Sequence, residues 1–200
     1  MRHLPISRKN PDLQSMSHGH CGLPDYLASG LSILFVGINP GIRSAEVGHH
    51  FAGPSNRFWK LLFDARLIPF PLKYEEDWRL PEFGIGLTNV IARPTVGIQD
   101  LKKQDFLHGR QALLAKITSY QPRLVALLGV SMAKILLFPK KPQSGNQRTV
   151  RHPIQVGPQS ILLAGRPVCV LPNPSGRNAH YSYQQMKELF SELNDWAQRS

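Results

Sequence analysis

The chain has 200 residues, with 24 Lys and Arg against 13 Asp and Glu and a formal net charge of +11. This length favours a single domain, and the basic balance predicts a polyanionic partner, with nucleic acid ahead of a membrane. The two cysteines exclude a disulfide scaffold and a zinc or iron–sulfur motif, and the chain has no apolar stretch typical of a membrane span or secretory signal, so we expect an intracellular protein without metal or cofactor.

Along the chain, residues 1–22 have no periodicity and are predicted to form a flexible basic arm, followed by one domain over 23–200. The predicted strands are 32–37, 84–90, 123–129 and 167–171. The predicted helical segments are one that Ser55 caps and that buries Phe58, Trp59, Leu61, Leu62 and Phe63, then 74–79, 100–120, 130–138 and 183–196. Strands alternating with helices predict an α/β fold, a three-layer α/β/α sandwich around a parallel sheet.

The end of the first predicted strand is the most informative feature of the sequence. An uncharged run over 32–37 stops at Gly-Ile-Asn-Pro-Gly, where Pro40 and the flanking glycines force the chain out of the sheet. Ligands of open α/β sheets bind at the carboxyl ends of strands, so Asn39 is a candidate functional side chain. The same residues are also typical of an ordinary turn, and the pattern alone leaves both interpretations open.

Four ordered blocks together resemble the mismatch-specific uracil/thymine DNA glycosylases, and the resemblance covers roughly residues 30–197. The blocks are Gly-Ile-Asn-Pro-Gly at 37–41, Gly-His-His-Phe-Ala-Gly-Pro-Ser-Asn-Arg-Phe-Trp at 48–59, Gly-Ile-Gly-Leu-Thr-Asn-Val at 84–90 with Arg-Pro-Thr at 93–95, and Leu-Pro-Asn-Pro-Ser-Gly-Arg at 171–177. The resemblance implies the central four-stranded parallel sheet of the uracil-DNA glycosylase superfamily. It also implies that the loops after strands one, two and four meet at one rim.

The resemblance assigns Asn39 the catalytic role of orienting a water molecule for hydrolysis of the bond between deoxyribose and a pyrimidine. A carboxamide is not appreciably basic, so its oxygen can position the water but cannot act as a strong base. Backbone donors around Ile38 and Phe51, if aimed at the base oxygen, would act as an oxyanion hole. A target base must leave the duplex to be reached, and this costs least when it is mispaired.

Several further residues match positions that bind the base in this family. The ring of Phe51 would stack on the extruded base, and Asn89 would pair with the N3–H and O4 edge of uracil. His50 is favoured for a binding role, whereas His49 is left unassigned. Ala45 is small, and its size would leave room beside the pyrimidine C5. On residue type alone, Phe51 is more typical of a core aromatic than of a base-stacking residue, and Asn89 is typical of a strand-end cap or turn.

The block at 173–178 matches the family's wedge loop, a rigid turn that presses into the minor groove. Arg177 stands at the protruding position that fills the gap left by the flipped nucleotide, and Asn173, Ser175 and Gly176 form the DNA-binding turn around it. Arg57 and Lys60 are interpreted as structural or solvated helix residues. The basic tract 139–153 has no clear family equivalent and is either a phosphate-contact loop or a solvated insertion.

These residues predict a monomeric, monofunctional DNA glycosylase acting on double-stranded DNA with a G·U mismatch, or a G·T one. No lysine is placed by the motifs to form a Schiff base, so strand cleavage is not expected. Three alternatives stay open: a glycosylase for deaminated purines such as hypoxanthine, a non-catalytic DNA-binding module, and a nucleotide-phosphate-binding protein using 37–41. The last lacks the Lys-Ser/Thr of a phosphate-binding loop and ranks last.

Overall fold

The computed structural model describes residues 22–138 and 154–199. The predicted arm, apart from Gly22, and the basic tract 139–153 lie outside the described residues. At the centre is a sheet of five strands, ordered β2-β1-β3-β5-β4, in which β1, β2, β3 and β5 run parallel and β4 pairs antiparallel with β5. The strands are β1 (Ile33–Gly37), β2 (Ile85–Asn89), β3 (Leu124–Leu128), β4 (Gly157–Leu163) and β5 (Arg166–Leu171).

Helices cover both faces of this sheet, which confirms the predicted α/β/α sandwich. They are α1 (Ile42–Val47), α2 (Phe58–Asp64), α3 (Lys103–Tyr120), α4 (Val130–Leu137), α5 (Tyr183–Ser191) and α6 (Leu193–Gln198), with 3-10 segments at Tyr74–Phe83 and Ile98–Asp100. Alternate residues of β1 serve two separate cores: Phe35 packs with α2, α5 and α6, whereas Leu34 and Val36 pack with α3 and α4. Burial on both faces explains why β1 is apolar throughout.

Four local expectations differ from the structure. The sheet has a fifth strand, β4, at its edge, joined to β5 through Ala164 and Gly165, both of which have positive φ, as a two-residue hairpin turn requires. The amide of Phe58 is capped by Asn56, whose Oδ1 accepts at 3.0 Å, and not by Ser55. The third helix begins at Lys103 rather than at residue 100, and the last predicted helix is interrupted at Glu192. Within the described ranges, no helix is both long and apolar enough to cross a membrane.

Candidate active site

The parallel strands end at one edge of the sheet, and a cleft of about 1240 Å³ opens there. The register pairs Gly37 with Asn89, so the last residue of β2 lies beside the last residue of β1. Residues from all three predicted loops line the cleft, including Asn39, Asn89 and Arg177. The loops thus meet at one rim.

The carboxamide of Asn39 is held in one orientation. Its Nδ2 donates to the carbonyl of Arg93 at 3.0 Å, to Thr95 Oγ1 at 2.8 Å and to the carbonyl of Pro40 at 3.2 Å. Carbonyl oxygens only accept, and the hydroxyl of Thr95 donates its own proton to the carbonyl of Gly97 at 2.9 Å, so the NH₂ group must face them. Asn39 Oδ1 receives no hydrogen bond from any residue that the structure describes, and it remains able to accept one from a ligand or water.

The side chain of Asn89 lies over Gly37. A Cβ built on Gly37 would come within 2.4 Å of Asn89 Oδ1 and 3.8 Å of Phe51 Cζ, so glycine leaves the space that these two side chains share. No partner within the described ranges hydrogen-bonds the Asn89 carboxamide, in contrast to that of Asn39. An unpaired amide beside an aromatic ring can form hydrogen bonds with the edge of a planar heterocycle.

Phe51 sits in a left-handed backbone conformation, with φ 54°. Such a conformation costs a non-glycine residue about 1–3 kcal/mol and persists only where the surroundings enforce it. Its ring stacks on Phe58 with a centroid distance of 4.1 Å, while the residue also lines the cleft. The backbone N–H groups of Ile38 and Phe51 make no hydrogen bond within the described part of the chain, so both are available as donors.

The two histidines before Phe51 point into the protein. His50 is 1% exposed, and its Nε2 lies 2.8 Å from the carbonyl of Pro24, which makes Nε2 the protonated nitrogen. Burial lowers the pKa of His50 from its ordinary value, opposed by the Pro24 hydrogen bond and the negative charge of Asp77. The neutral ring has no second N–H to give a base, so any contact of its ring with a ligand is as an acceptor. His49 Nδ1 lies 3.0 Å from Asp77 Oδ1.

Ala45 lies in α1 but is not among the residues that line the cleft, whereas its neighbour Ser44 is. Ser44 is buried, and its Oγ accepts from the amide of Ala52 at 3.0 Å, next to Phe51. The sequence analysis missed Ser44 because its predicted helical segments did not include α1. Ser44, rather than Ala45, therefore helps set the size of the cleft on this side.

The wedge loop is compact and braced. Asn173 Oδ1 accepts from the amide of Ser175 at 3.0 Å, and Ser175 Oγ accepts from the amide of Arg177 at 3.3 Å. Gly176 lies against Ser55, where an added Cβ would come within 2.7 Å of the Ser55 carbonyl oxygen. Arg177 is exposed, and its Nη1 donates to the carbonyl of Val96 at 2.8 Å across the mouth of the cleft.

Sequence reasoning also missed two residues that hold others in place. Thr95 was predicted only as part of a matching block, yet its buried hydroxyl orients Asn39. Asp77 was not predicted to have a role, although it is completely buried beneath the paired histidines. A single buried Asp in a segment of mixed polarity gives no signal in a sequence, because its partners lie 27 and 28 positions away.

The cleft lining that the structure describes contains no Asp, Glu or Lys; its charged residues are Arg43 and Arg177. Over 22–138 and 154–199, no three His, Cys, Asp or Glu side chains come together to hold a metal ion. Cys169 is buried, and burial raises the pKa of its thiol, as expected for a structural cysteine. The described lining therefore offers amides, hydroxyls, backbone N–H groups, arginine and the imidazoles of His50 and His180, but no carboxylate or lysine.

Comparison with known proteins agrees with this geometry. The family model of the uracil DNA glycosylase superfamily matches residues 24–198. The solution NMR structure of a candidate uracil DNA glycosylase from Methanosarcina acetivorans is similar in fold, with a TM-score of 0.55 and 20% identity over 88% of this chain and 96% of that one. The chain belongs to the uracil DNA glycosylase superfamily, whose members are DNA glycosylases that hydrolyse the N-glycosidic bond.

Proposed function

We propose that this DNA glycosylase flips uracil out of a G·U mismatch and hydrolyses its glycosidic bond, leaving an abasic site for base excision repair. Thymine and 5-substituted pyrimidines opposite guanine are the candidate further substrates. The observation that carries the proposal is the Asn39 carboxamide, whose NH₂ group is tied to three acceptors while its oxygen stays available at the end of β1. Such an oxygen can position water but cannot take its proton readily.

The proposed reaction combines weak activation of the attacking water by Asn39 with stabilisation of the negative charge on the departing base. Asn39 Oδ1 accepts a hydrogen bond from the water and directs its oxygen at the sugar carbon. As the new C–O bond forms, the base departs with the electron pair of the broken C–N bond, and the water releases one proton to solvent. No carboxylate lies among the described lining residues to act as a stronger base. The N–H groups of Ile38 and Phe51 stabilise the negative charge on the departing pyrimidine, a contribution of ~2.7–4 kcal/mol for one well-aimed donor.

Base recognition uses the space over Gly37. The base stacks on the ring of Phe51, and the Asn89 carboxamide pairs with its N3–H and O4 edge. Because this amide has no partner among the described residues, binding the base does not break an existing hydrogen bond. His50 contributes a buried wall behind Phe51, and Ser44 limits the room beside it. Ala45 is not a lining residue, so the sequence-based argument for room beside C5 does not carry over to it.

The wedge loop acts on the duplex. Arg177 fills the gap that the flipped nucleotide leaves and contacts the widowed guanine, with Asn173, Ser175 and Gly176 holding the turn against the flanking backbone. The absence of lysine from the described cleft lining supports hydrolysis without a Schiff base. The product is an abasic site with both strands intact.

The test is a panel of duplexes that differ only in the target pair: G·U, A·U, G·T and G·hypoxanthine, followed by alkaline cleavage of abasic sites. We expect cleavage of G·U above A·U, and the G·T duplex measures how far the substrate range extends. Cleavage before alkali would contradict the monofunctional assignment. Reaction of the hypoxanthine duplex alone would replace the proposed function with excision of a deaminated purine.

The variant Asn39→Ala tests the catalytic assignment. It removes the oxygen that orients the water, so we expect the single-turnover rate to fall by about 10²-fold or more, with duplex binding retained. Ser131→Ala, an exposed residue on the same cleft wall, is the control and should keep the rate. Near-normal excision by Asn39→Ala would refute the role of this residue.

A further inference from the structure

The 3-10 segment Tyr74–Phe83 carries a carboxylate, Asp77, that takes no part in the proposed chemistry of the cleft. Asp77 is completely buried and does not line the cleft. Each of its oxygens has its own partner: Oδ1 lies 3.0 Å from His49 Nδ1, and Oδ2 accepts from the backbone N–H of His50 at 2.8 Å. Burial and the negative charge of Asp77 raise the pKa of the nearby Tyr26 hydroxyl. A buried acid with two hydrogen-bond donors fixes the positions of both.

Both donors belong to the residues directly before Phe51, whose left-handed conformation must be enforced by its surroundings. On the other side of Phe51, the amide of Ala52 donates to Ser44 Oγ. Trp59 Nε1 donates to the carbonyl of His50 at 3.2 Å. The turn is thus held on both sides of Phe51. Asp77 accepts from the backbone N–H of His50 before it, and Ser44 accepts from the amide of Ala52 after it.

We propose that Asp77 and His49 are positioning residues for base binding: together they hold the His49–His50–Phe51 turn so that the Phe51 ring and its free N–H face the flipped base. This rests on the proposed function, in which Phe51 stacks on that base. The two histidines then have separate tasks, because His49 bonds to Asp77 while His50 bonds to the Pro24 carbonyl. Each ring thus fixes the turn through its own acceptor.

A competing explanation is that Asp77 only stabilises the fold. Matched variants separate the two. Asp77→Ala removes both acceptors, whereas Asp77→Asn keeps one oxygen for the His50 N–H. His49→Ala removes the ring donor, whereas His49→Asn places an N–H near the position of Nδ1. Leu80→Ala is the control for stability, since Leu80 is fully buried in the same segment and its loss leaves a cavity without removing any hydrogen bond to the turn.

Three measurements are made on the full chain. Single-turnover excision from a G·U duplex at saturating enzyme reports chemistry, and affinity for a fully paired duplex reports general DNA binding. Fluorescence of 2-aminopurine placed beside a non-cleavable 2′-fluoro uracil analogue reports flipping. The indole N–H resonance of Trp59 reports the turn itself, because this group bonds to the His50 carbonyl, and it needs no substrate.

We expect Asp77→Ala and His49→Ala to lose about tenfold or more in excision rate and flipping signal and to shift the Trp59 resonance, with paired-duplex affinity unchanged. Asp77→Asn and His49→Asn should recover most of the rate, and Leu80→Ala should lower the melting temperature without slowing excision. Equal losses in Asp77→Ala and Leu80→Ala, or a normal rate and resonance in Asp77→Ala, would overturn the positioning role. If the wild-type protein leaves uracil untouched while the resonance still shifts in Asp77→Ala, the proposed function fails and the hold on the turn stands.

Discussion

Two asparagines near the ends of neighbouring strands, Asn39 and Asn89, differ in how their side-chain amides are hydrogen-bonded. Asn39 is fixed by the carbonyls of Arg93 and Pro40 and by the Thr95 hydroxyl, which leaves only its oxygen for a ligand. Asn89 has a carboxamide without partners in the described chain, so it can present either a donor or an acceptor. A group that directs water needs one fixed orientation, whereas a group that reads a base edge must pair with both a donor and an acceptor.

Substitutions at Thr95 test whether excision depends on the fixed orientation of the Asn39 carboxamide. Thr95→Val keeps the shape but removes the hydroxyl that accepts from Asn39, so we expect the excision rate to fall about tenfold, the effect of one hydrogen bond. Thr95→Ser, which keeps the hydroxyl, should retain most of the rate. Single-turnover kinetics with G·U DNA checks both variants, and equal rates in Val and Ser would contradict the orienting role.

The space over Gly37 gives a second test at a single residue. Gly37→Ala places a methyl group within 2.4 Å of Asn89 Oδ1, so the amide must move, and we expect excision to fall by about tenfold or more. Gly41→Ala is the matched control, because nothing lies within 4 Å of its added Cβ and its φ is −70°. Full activity of Gly37→Ala on G·U DNA would argue against base reading by Asn89.

The wedge loop is attached to its neighbours at several points. The carbonyl of Pro174 accepts from the amide of Arg57 at 2.9 Å, Gly176 packs against Ser55, and Arg177 bonds to the Val96 carbonyl. The first two contacts hold the backbone of the loop against its neighbours. The bond to Val96 uses the guanidinium, and the wedge role proposed for Arg177 requires that this bond be released. The backbone of the loop is therefore fixed, and the side chain of Arg177 at its tip is the part that can rearrange.

Arg177→Ala is expected to weaken flipping and to reduce the preference for guanine opposite the target base. Arg43→Ala removes a positive charge from the same cleft without removing the wedge, and it should keep that preference. The measurement is 2-aminopurine fluorescence together with excision from G·U and A·U duplexes. Unchanged flipping and unchanged base-pair preference in Arg177→Ala would eliminate the wedge assignment.

At the scale of elements, the sequence predicted the four parallel strands and the main helices because their apolar patterns are continuous. Strand β4 was missed since Gly157 and Pro158 are typical of loops, and its half-exposed edge position requires no strong pattern. The helical periodicity of the apolar residues likewise continues through Glu192, so the sequence predicted one helix where the chain turns from α5 to α6. The candidate site was predicted through Asn39, Phe51 and Asn89, while contacts from distant parts of the chain, such as those of Asp77, give no local signal.

The whole molecule combines a net charge of +11 with a described cleft lining that has arginine but no carboxylate. A cleft without negative side chains presents positive potential to phosphates, which raises the rate of encounter with DNA. The same lack of carboxylates limits how far a water molecule can be activated. This charge distribution favours the binding of a polyanion such as DNA.

Stability should depend on pH through His50. Because burial lowers its pKa in the folded state, the unfolded chain binds more protons below pH about 6.5, and folding stability should fall as the pH drops below that value and level off below the folded-state pKa. His50→Gln, whose amide N–H can replace Nε2, should flatten this dependence in thermal melts between pH 7 and 5. His108→Gln, at an exposed histidine, should not, and identical pH profiles for wild type and His50→Gln would contradict the prediction.

The Asn39–Pro40 pair has a consequence for the ageing of the protein. Asparagine side chains deamidate in water mainly when the backbone nitrogen of the next residue attacks the carboxamide and closes a succinimide ring, and proline has no N–H with which to do so. Asn89 is followed by Val90, whose N–H is bonded to the Gly37 carbonyl at 2.9 Å. Both amides on which the proposed chemistry depends are thereby protected from conversion to carboxylates, a spontaneous hydrolysis related to the one that turns cytosine into uracil.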